Sequence, residues 1–476
     1  MTHELKSIFV DGQEVIAHSD QRIVLTNPAT EEVIASVPDS DEVDVDRAVQ
    51  AARAALPSWR ERSPIERSAC LTALAAAFET RQEEIARLVT SQNGSPITRS
   101  LGSNAALPLR TYRYNAELAR QLVDDEMREW EGRHTLVHGE PVGVVGAIVP
   151  WNAPQGLISQ KLGPALAAGC TVVLKPSPET SLDGFLLGEL IRASGIPDGV
   201  VNIVSGGRAT GEAIVGHPDV DKISFTGSTA AGKSIAATCG QSLKAVTLEL
   251  GGKSAAILLE DVDIEQFRTQ LIPTCLPNTG QVCYSSTRIL APRSRYDEVV
   301  EAIVSEFERS PIGDPEDPAT IFGPLVTDRQ RVRVEGYISA GNAEGARLVV
   351  GGGRPKELPV GYYVEPTLFI DVDNGSKIAR EEIFGPVLSV IPYATEEEAI
   401  ALANSSTYGL AGSVFSKDVD RALAIARRID TGSVTVNGYR NVPNVPIGGH
   451  RDSGLGQQGG LEGFLTYRKY TSIALP

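Results

Sequence analysis

Between residues 142 and 252 short apolar runs recur: VGVVGAIVP (142–150), TVVLKP (171–176), VVNIVSG (200–206), KISFTG (222–227) and AVTLELGG (245–252). Helix-length segments separate most of them. Runs this continuous are buried on both faces, and their alternation with helices is the rhythm of βαβ units around a parallel sheet. Gly, Ser, Thr and Pro crowd several of the turns that follow, at the strand ends where open α/β sheets bind ligands. A second alternation starts near 254 with SAAILLE and TRILAP. It continues through helical YDEVVEAIVSEFERS, then PVLSVIPY, a helix near 396–404, AGSVFS and GSVTVNG. Two α/β units meeting around 251–253 is the simplest division. Upstream, residues 43–90 read as helical: Ser63-Pro64 supplies an N-cap and a helix-starting proline, and Asn93-Gly94 a stop.

Composition narrows the function classes. The 476 residues carry a net charge of −16, which argues against nucleic acid or an anionic membrane surface as partner. The N-terminal stretch lacks the basic start and apolar run of a signal peptide, and no run reaches the ~20 residues that span a bilayer. Five scattered cysteines without C-x-x-C read as reduced thiols in a cytoplasmic protein. The six histidines show no H-E-x-x-H spacing and no G-x-S-x-G elbow is present, so no metal ligands are assigned and serine hydrolysis has no support.

Residues 225–234, FTGSTAAGKS, contain G-x-x-x-x-G-K-S between a strand-like and a helix-like segment. That pattern suits a nucleoside triphosphate gripped through Lys233. It also suits a dinucleotide pyrophosphate at a helix N-terminus. The loop follows the fourth strand of its unit, not the first, and the nearest strand ending in acids, AAILLED, comes after only one short element. Both points weigh against an ATPase.

Read with PWNAP (150–154), LELGGKS (248–254), NTGQVC (278–283) and EEIFGPV (381–387), the FTGST run (225–229) resembles the aldehyde dehydrogenase superfamily. The likeness extends from NPAT (27–30) through LANSSTYGLAGSVFS (402–416) to SGLG (453–456). It implies an α/β fold with three parts. Residues 1–122 and 141–251 would form a Rossmann-like dinucleotide-binding domain, 252–450 an α/β catalytic domain with the nucleophilic cysteine, and 123–140 with 463–476 a small β oligomerisation element. A homodimer or homotetramer follows from that element, since exposed strands seek partners.

The chemistry also follows from residue types. Oxidising an aldehyde by hydride loss needs a tetrahedral adduct, hence a strong nucleophile, and Cys283 lies in a polar context unlike Cys170 or Cys239. Glu249, between two leucines at a strand end, suits a general base raised in pKa by apolar neighbours. Asn152, with the backbone N–H of Cys283, would form the oxyanion hole. The expected course is thiolate attack, a thiohemiacetal, a thioester and hydrolysis by Glu249-activated water. A coenzyme A-acylating relative is the alternative, disfavoured by the water-activating Glu249.

The resemblance further implies NAD contacts. Lys175 would meet the adenosine ribose, and Ser228 with Gly227 and Gly232 the pyrophosphate. Gly207 and Gly211 allow close approach, and Glu382 with Phe384 hold the nicotinamide ribose and ring. Ile148, Trp151, Glu249 and Gly251 complete that set. Many NAD-preferring members carry Glu three residues after this lysine; here Pro178 stands there and Glu179 is shifted by one, which leaves NADP open. Ala153, Gly156, Leu157, Gln160, Tyr284 and Ile447 would line the substrate tunnel. Small residues for large ones there predict a wide aliphatic tunnel and a bulky hydrophobic aldehyde: terpenoid, long-chain or aromatic. Gln457-Gln458 stands where the family usually shows Arg-Glu, which puts a second relay carboxylate in doubt.

Overall fold

The computed structural model describes residues 3–440 and 442–476. The five apolar runs of the first alternation form neighbouring parallel strands of an eight-stranded sheet: Val144–Ile148, Thr171–Lys175, Val201–Ile203, Lys222–Thr226 and Ala245–Glu249. In space the fifth strand pairs with the fourth, the fourth with the first, the first with the second and the second with the third. The order therefore reverses between Val144–Ile148 and Lys222–Thr226, which opens a crevice at their carboxyl ends. The edges are strands the apolar runs did not announce: Ser7–Val10 with Gln13–Ile16 at one side and Gly454–Leu455 at the other.

Helices cover both faces, which is why these strands are apolar throughout. Val145, Ala147 and Val149 point to one side, against Trp59, Leu74, Phe78 and Leu162. Val144 and Ile148 point to the other, among Val45, Val49, Ile214 and Phe225. Each such fully buried side chain contributes about 1.5–3 kcal/mol relative to exposure. The second alternation builds a seven-stranded sheet whose central strands are Arg288–Pro292 and Ala255–Leu258, parallel apart from the edge strand Arg347–Val350.

A third, three-stranded sheet joins Asp125–Trp130, Arg133–Pro141 and Arg468–Ala474. Its hairpin turns on Glu131 and Gly132, both at positive φ, the conformation that a tight two-residue turn between twisted strands requires. Among the described residues no helix is long and apolar enough to cross a membrane.

Candidate active site

The crevice at the strand-order reversal is a cleft of about 990 Å³. Ile148, Trp151, Lys175, Gly207, Gly211, Gly227 and Ser228 all line it. Ser228 caps the helix Thr229–Gln241 by accepting from the Ala231 N–H, so the first turn of that helix opens on the cleft. A helix N-terminus there favours a negatively charged group such as a pyrophosphate. Lys175 is buried, its pKa pushed down to about 8 by that burial, and its ammonium donates to the Pro176 and Gly206 carbonyls. One of its three N–H donors stays free for a ligand. The cleft's size, anion-favouring end and free ammonium together fit a dinucleotide.

Lys233 takes no part. It turns outward to an ion pair with Asp452 at 2.9 Å, 62% exposed, and is absent from the cleft wall. A triphosphate-gripping lysine would reach the loop amides, so the P-loop reading is overturned. Gly232 is not in the cleft wall, and a Cβ there would collide with the Leu250 side chain, so this glycine allows the helix to pack closely. Glu382, Phe384, Gly251 and Glu249 are not in the cleft wall, and the two glutamates lie near Cys283. Phe384 meets Trp151 edge-on at 5.4 Å and holds φ +62°, a conformation that strains a non-glycine residue. The Glu382 carboxylate lies against Gly251 and accepts the Gly252 N–H at 3.1 Å; burial lifts its pKa to about 7.

Cys283 ends a loop in which Asn278, Thr279 and Gly280 all take positive φ. Two consecutive non-glycine residues in that region cost roughly 1–3 kcal/mol each. The surroundings hold them: Asn278 donates to the Asn152 carbonyl at 3.1 Å, Thr279 to the Gly323 carbonyl at 3.2 Å, and Gln281 accepts the Val326 N–H at 3.1 Å. Burial, then Glu382 and Glu249, push the Cys283 thiol up to about 12, while the backbone N–H groups of Cys283 and Tyr284 pull it down. The thiol is therefore neutral at rest and needs a base to react. Asn152 is buried and donates from Nδ2 to the Gln281 carbonyl at 2.9 Å, which fixes its amide two residues from the nucleophile.

Glu249 ends the strand Ala245–Glu249, opposite Thr226 in register. Burial raises its pKa and the neighbouring Lys161 opposes that rise. Its Oε1 is buried without a hydrogen-bond partner among the described residues, so one carboxylate oxygen stays available. Lys161 was not anticipated. It is fully buried, donates to Thr226 Oγ1 at 2.8 Å, and burial depresses its pKa. The signal was present: a single lysine inside the otherwise uncharged helix Pro154–Ala168. Ser224 and Thr226, with Thr247 and Glu249 beside them, put a polar stripe on one sheet face. Gln458 extends it with a long contact to Ser224 (3.4 Å), and the Tyr467 hydroxyl reaches the same serine at 3.2 Å.

The tunnel residues separate. Gln160 and Ile447 meet in a narrow cavity of about 20 Å³, room for one water, together with Tyr114 and Val442, which sequence reasoning missed. Tyr284 stacks on Tyr439, and Ala153 and Leu157 are half-buried. Gly156 does not widen the tunnel. The Ser103 carbonyl lies 2.5 Å from where its Cβ would be, so the glycine admits the irregular turn Leu101–Ala106. At this position the expected widening is a close packing contact instead.

The fold thus brings a cofactor-sized cleft at a strand-order reversal, a cysteine on a strained loop and a buried carboxylate into one chain. The model of the aldehyde dehydrogenase family matches residues 15–473, and the chain belongs to that family. It is 49% identical over 478 residues to geranial dehydrogenase of Castellaniella defragrans, covering 100% of both chains. A Mycobacterium tuberculosis aldehyde dehydrogenase complexed with NAD+ superposes with a TM-score of 0.98 at 44% identity, over 100% of this chain and 99% of that one. Aldehyde dehydrogenase C of Pseudomonas syringae, a cysteine-to-alanine variant complexed with NAD+ and octanal, gives 0.96 at 38% identity, over 98% and 96%.

Proposed function

We propose that this enzyme oxidises a bulky hydrophobic aldehyde, of terpenoid or long-chain type, to its carboxylic acid with NAD as oxidant. The observation that carries the chemistry is the placing of two buried carboxylates, Glu382 and Glu249, close enough to Cys283 to act on its thiol. Glu249, or water relayed by it, takes the Cys283 proton as sulfur attacks the aldehyde carbon. The remaining N–H of the Asn152 amide and the Cys283 N–H stabilise the oxyanion that develops. When bound, NAD supplies the hydride acceptor, with Lys175 and the amides capped by Ser228 holding it and Glu382 and Phe384 positioning its reactive end. The thioester left on Cys283 is then hydrolysed by water that Glu249 deprotonates, and the free acid leaves.

The terpenoid preference is supported by the geranial dehydrogenase relative. NAD over NADP is supported by the NAD+ complexes of the similar structures. A panel of terpenoid, long-chain, aromatic and short aldehydes, each with NAD and NADP, tests both readings. Geranial and long-chain aldehydes with NAD are expected to give the highest kcat/KM. Acetaldehyde as best substrate would contradict the tunnel reading, and preference for NADP the cofactor reading.

A further inference from the structure

Beside the nucleophile lies a cation that the reaction above does not use. Arg99, on the short helical turn Ile97–Ser100, donates from Nη2 to the Tyr284 hydroxyl at 2.9 Å. Tyr284 follows Cys283 in sequence and stacks on Tyr439, ring centroids 3.7 Å apart and planes within 6°. Burial, then Tyr284 and Cys283, raise the Tyr439 phenol, so this ring too lies near the sulfur. The guanidinium therefore stands behind an aromatic pair that flanks the reacting sulfur.

The surroundings of Arg99 do not balance its charge. The groups acting on it are the two phenols, with no carboxylate among them. Nε and Nη1 donate to no acceptor among the described residues, and neither is sealed from solvent-sized space. Partly burying a guanidinium costs free energy unless a counter-charge or acceptor completes it. Two buried arginines are completed by acceptors, Arg288 by four carbonyl oxygens and Arg67 by three, and the third, Arg468, has the Asp124 carboxylate as counter-charge.

We propose that Arg99 is a specificity-determining residue: its open N–H edge takes an oxygen acceptor at the far end of the aldehyde, a carboxylate or a hydroxyl, while the Tyr284–Tyr439 pair flanks the apolar body between. The inference rests on the aldehyde dehydrogenase reading and deepens it, since the substrate becomes an amphipathic aldehyde with oxygen at both ends. A carboxylate gains most, because a guanidinium can meet both of its oxygens.

The test compares one chain length in three forms: the plain aldehyde, its ω-hydroxy analogue and its ω-carboxy analogue. Each is measured with wild type, Arg99→Met, Arg99→Lys and Tyr284→Phe. In wild type the ω-oxygenated forms are expected to have the higher kcat/KM. In Arg99→Met the oxygenated-to-plain ratio should fall about tenfold or more, through KM, as the loss of a charged hydrogen bond implies. Arg99→Lys should restore part of the ω-carboxy ratio, and Tyr284→Phe should leave most of it. A response of the ω-carboxy arm alone identifies the acceptor as a carboxylate; a response of both arms includes the hydroxyl. An unchanged ratio in Arg99→Met, or equal losses on all three substrates, would overturn the proposal. Failure of the underlying reading looks different, because wild type would then reduce no NAD with the plain aldehyde.

Discussion

At the scale of single residues the site is a set of charges held away from their ordinary protonation states. Glu249 is the informative one, because burial raises its pKa while Lys161 holds it down. A carboxyl that binds its proton too tightly gains its base form only as pH rises above the ordinary carboxylate range. The acid limb of kcat should therefore lie above that range. Lys161→Gln removes the opposing charge and should move the limb to higher pH, and Glu249→Gln should abolish it. A limb that stays in place in Lys161→Gln would show that the buried lysine does not set the base. Folding stability carries the same sign for Glu249: its proton binds more tightly in the folded chain, so its ionisation costs stability as pH rises through that window.

At the scale of elements, strands and caps follow local rules and the sequence makes them readable. Ser63 accepts the Glu66 N–H, the N-cap that Ser63-Pro64 pointed to, and the Glu66 carboxylate takes the Ser63 N–H in return. The five apolar runs are the five parallel strands to within a few residues, because a strand buried on both faces leaves no polar positions. Two kinds of feature were not legible. Ser7–Val10 and Gln13–Ile16 join the first sheet from far away in sequence, and no local pattern states such a pairing. Gly156 and Gly232 look alike as small residues near a ligand, yet each makes room for a neighbouring chain segment that only the assembled fold reveals. The C-terminal strand Arg468–Ala474 leaves one edge of its sheet unpaired, with Tyr470 and Ile473 exposed. Our reading that this edge joins a second copy predicts a dimer or tetramer by light scattering. A monomer at micromolar concentration would contradict it.

At the scale of the whole molecule, the two large sheets divide the work. One opens the dinucleotide cleft at its strand-order reversal, and Cys283 lies in the segment between the helix Ile264–Cys275 and the strand Arg288–Pro292 of the other. Glu249 ends the last parallel strand of the first sheet and leads through Gly251-Gly252 into the second, so the proposed base and the proposed nucleophile come from opposite sides of one junction. That arrangement explains why five dispersed motifs identified the family, whereas FTGSTAAGKS alone pointed two ways. Its most direct test is the pre-steady-state release of NADH when aldehyde and NAD are mixed with Glu249→Gln and Cys283→Ala. The account predicts that Glu249→Gln slows both the NADH burst and steady-state turnover about a hundredfold or more, because the same carboxylate deprotonates the Cys283 thiol and the hydrolytic water. Cys283→Ala should give neither burst nor turnover. Undiminished steady-state turnover in either variant would contradict the assignment of nucleophile and base.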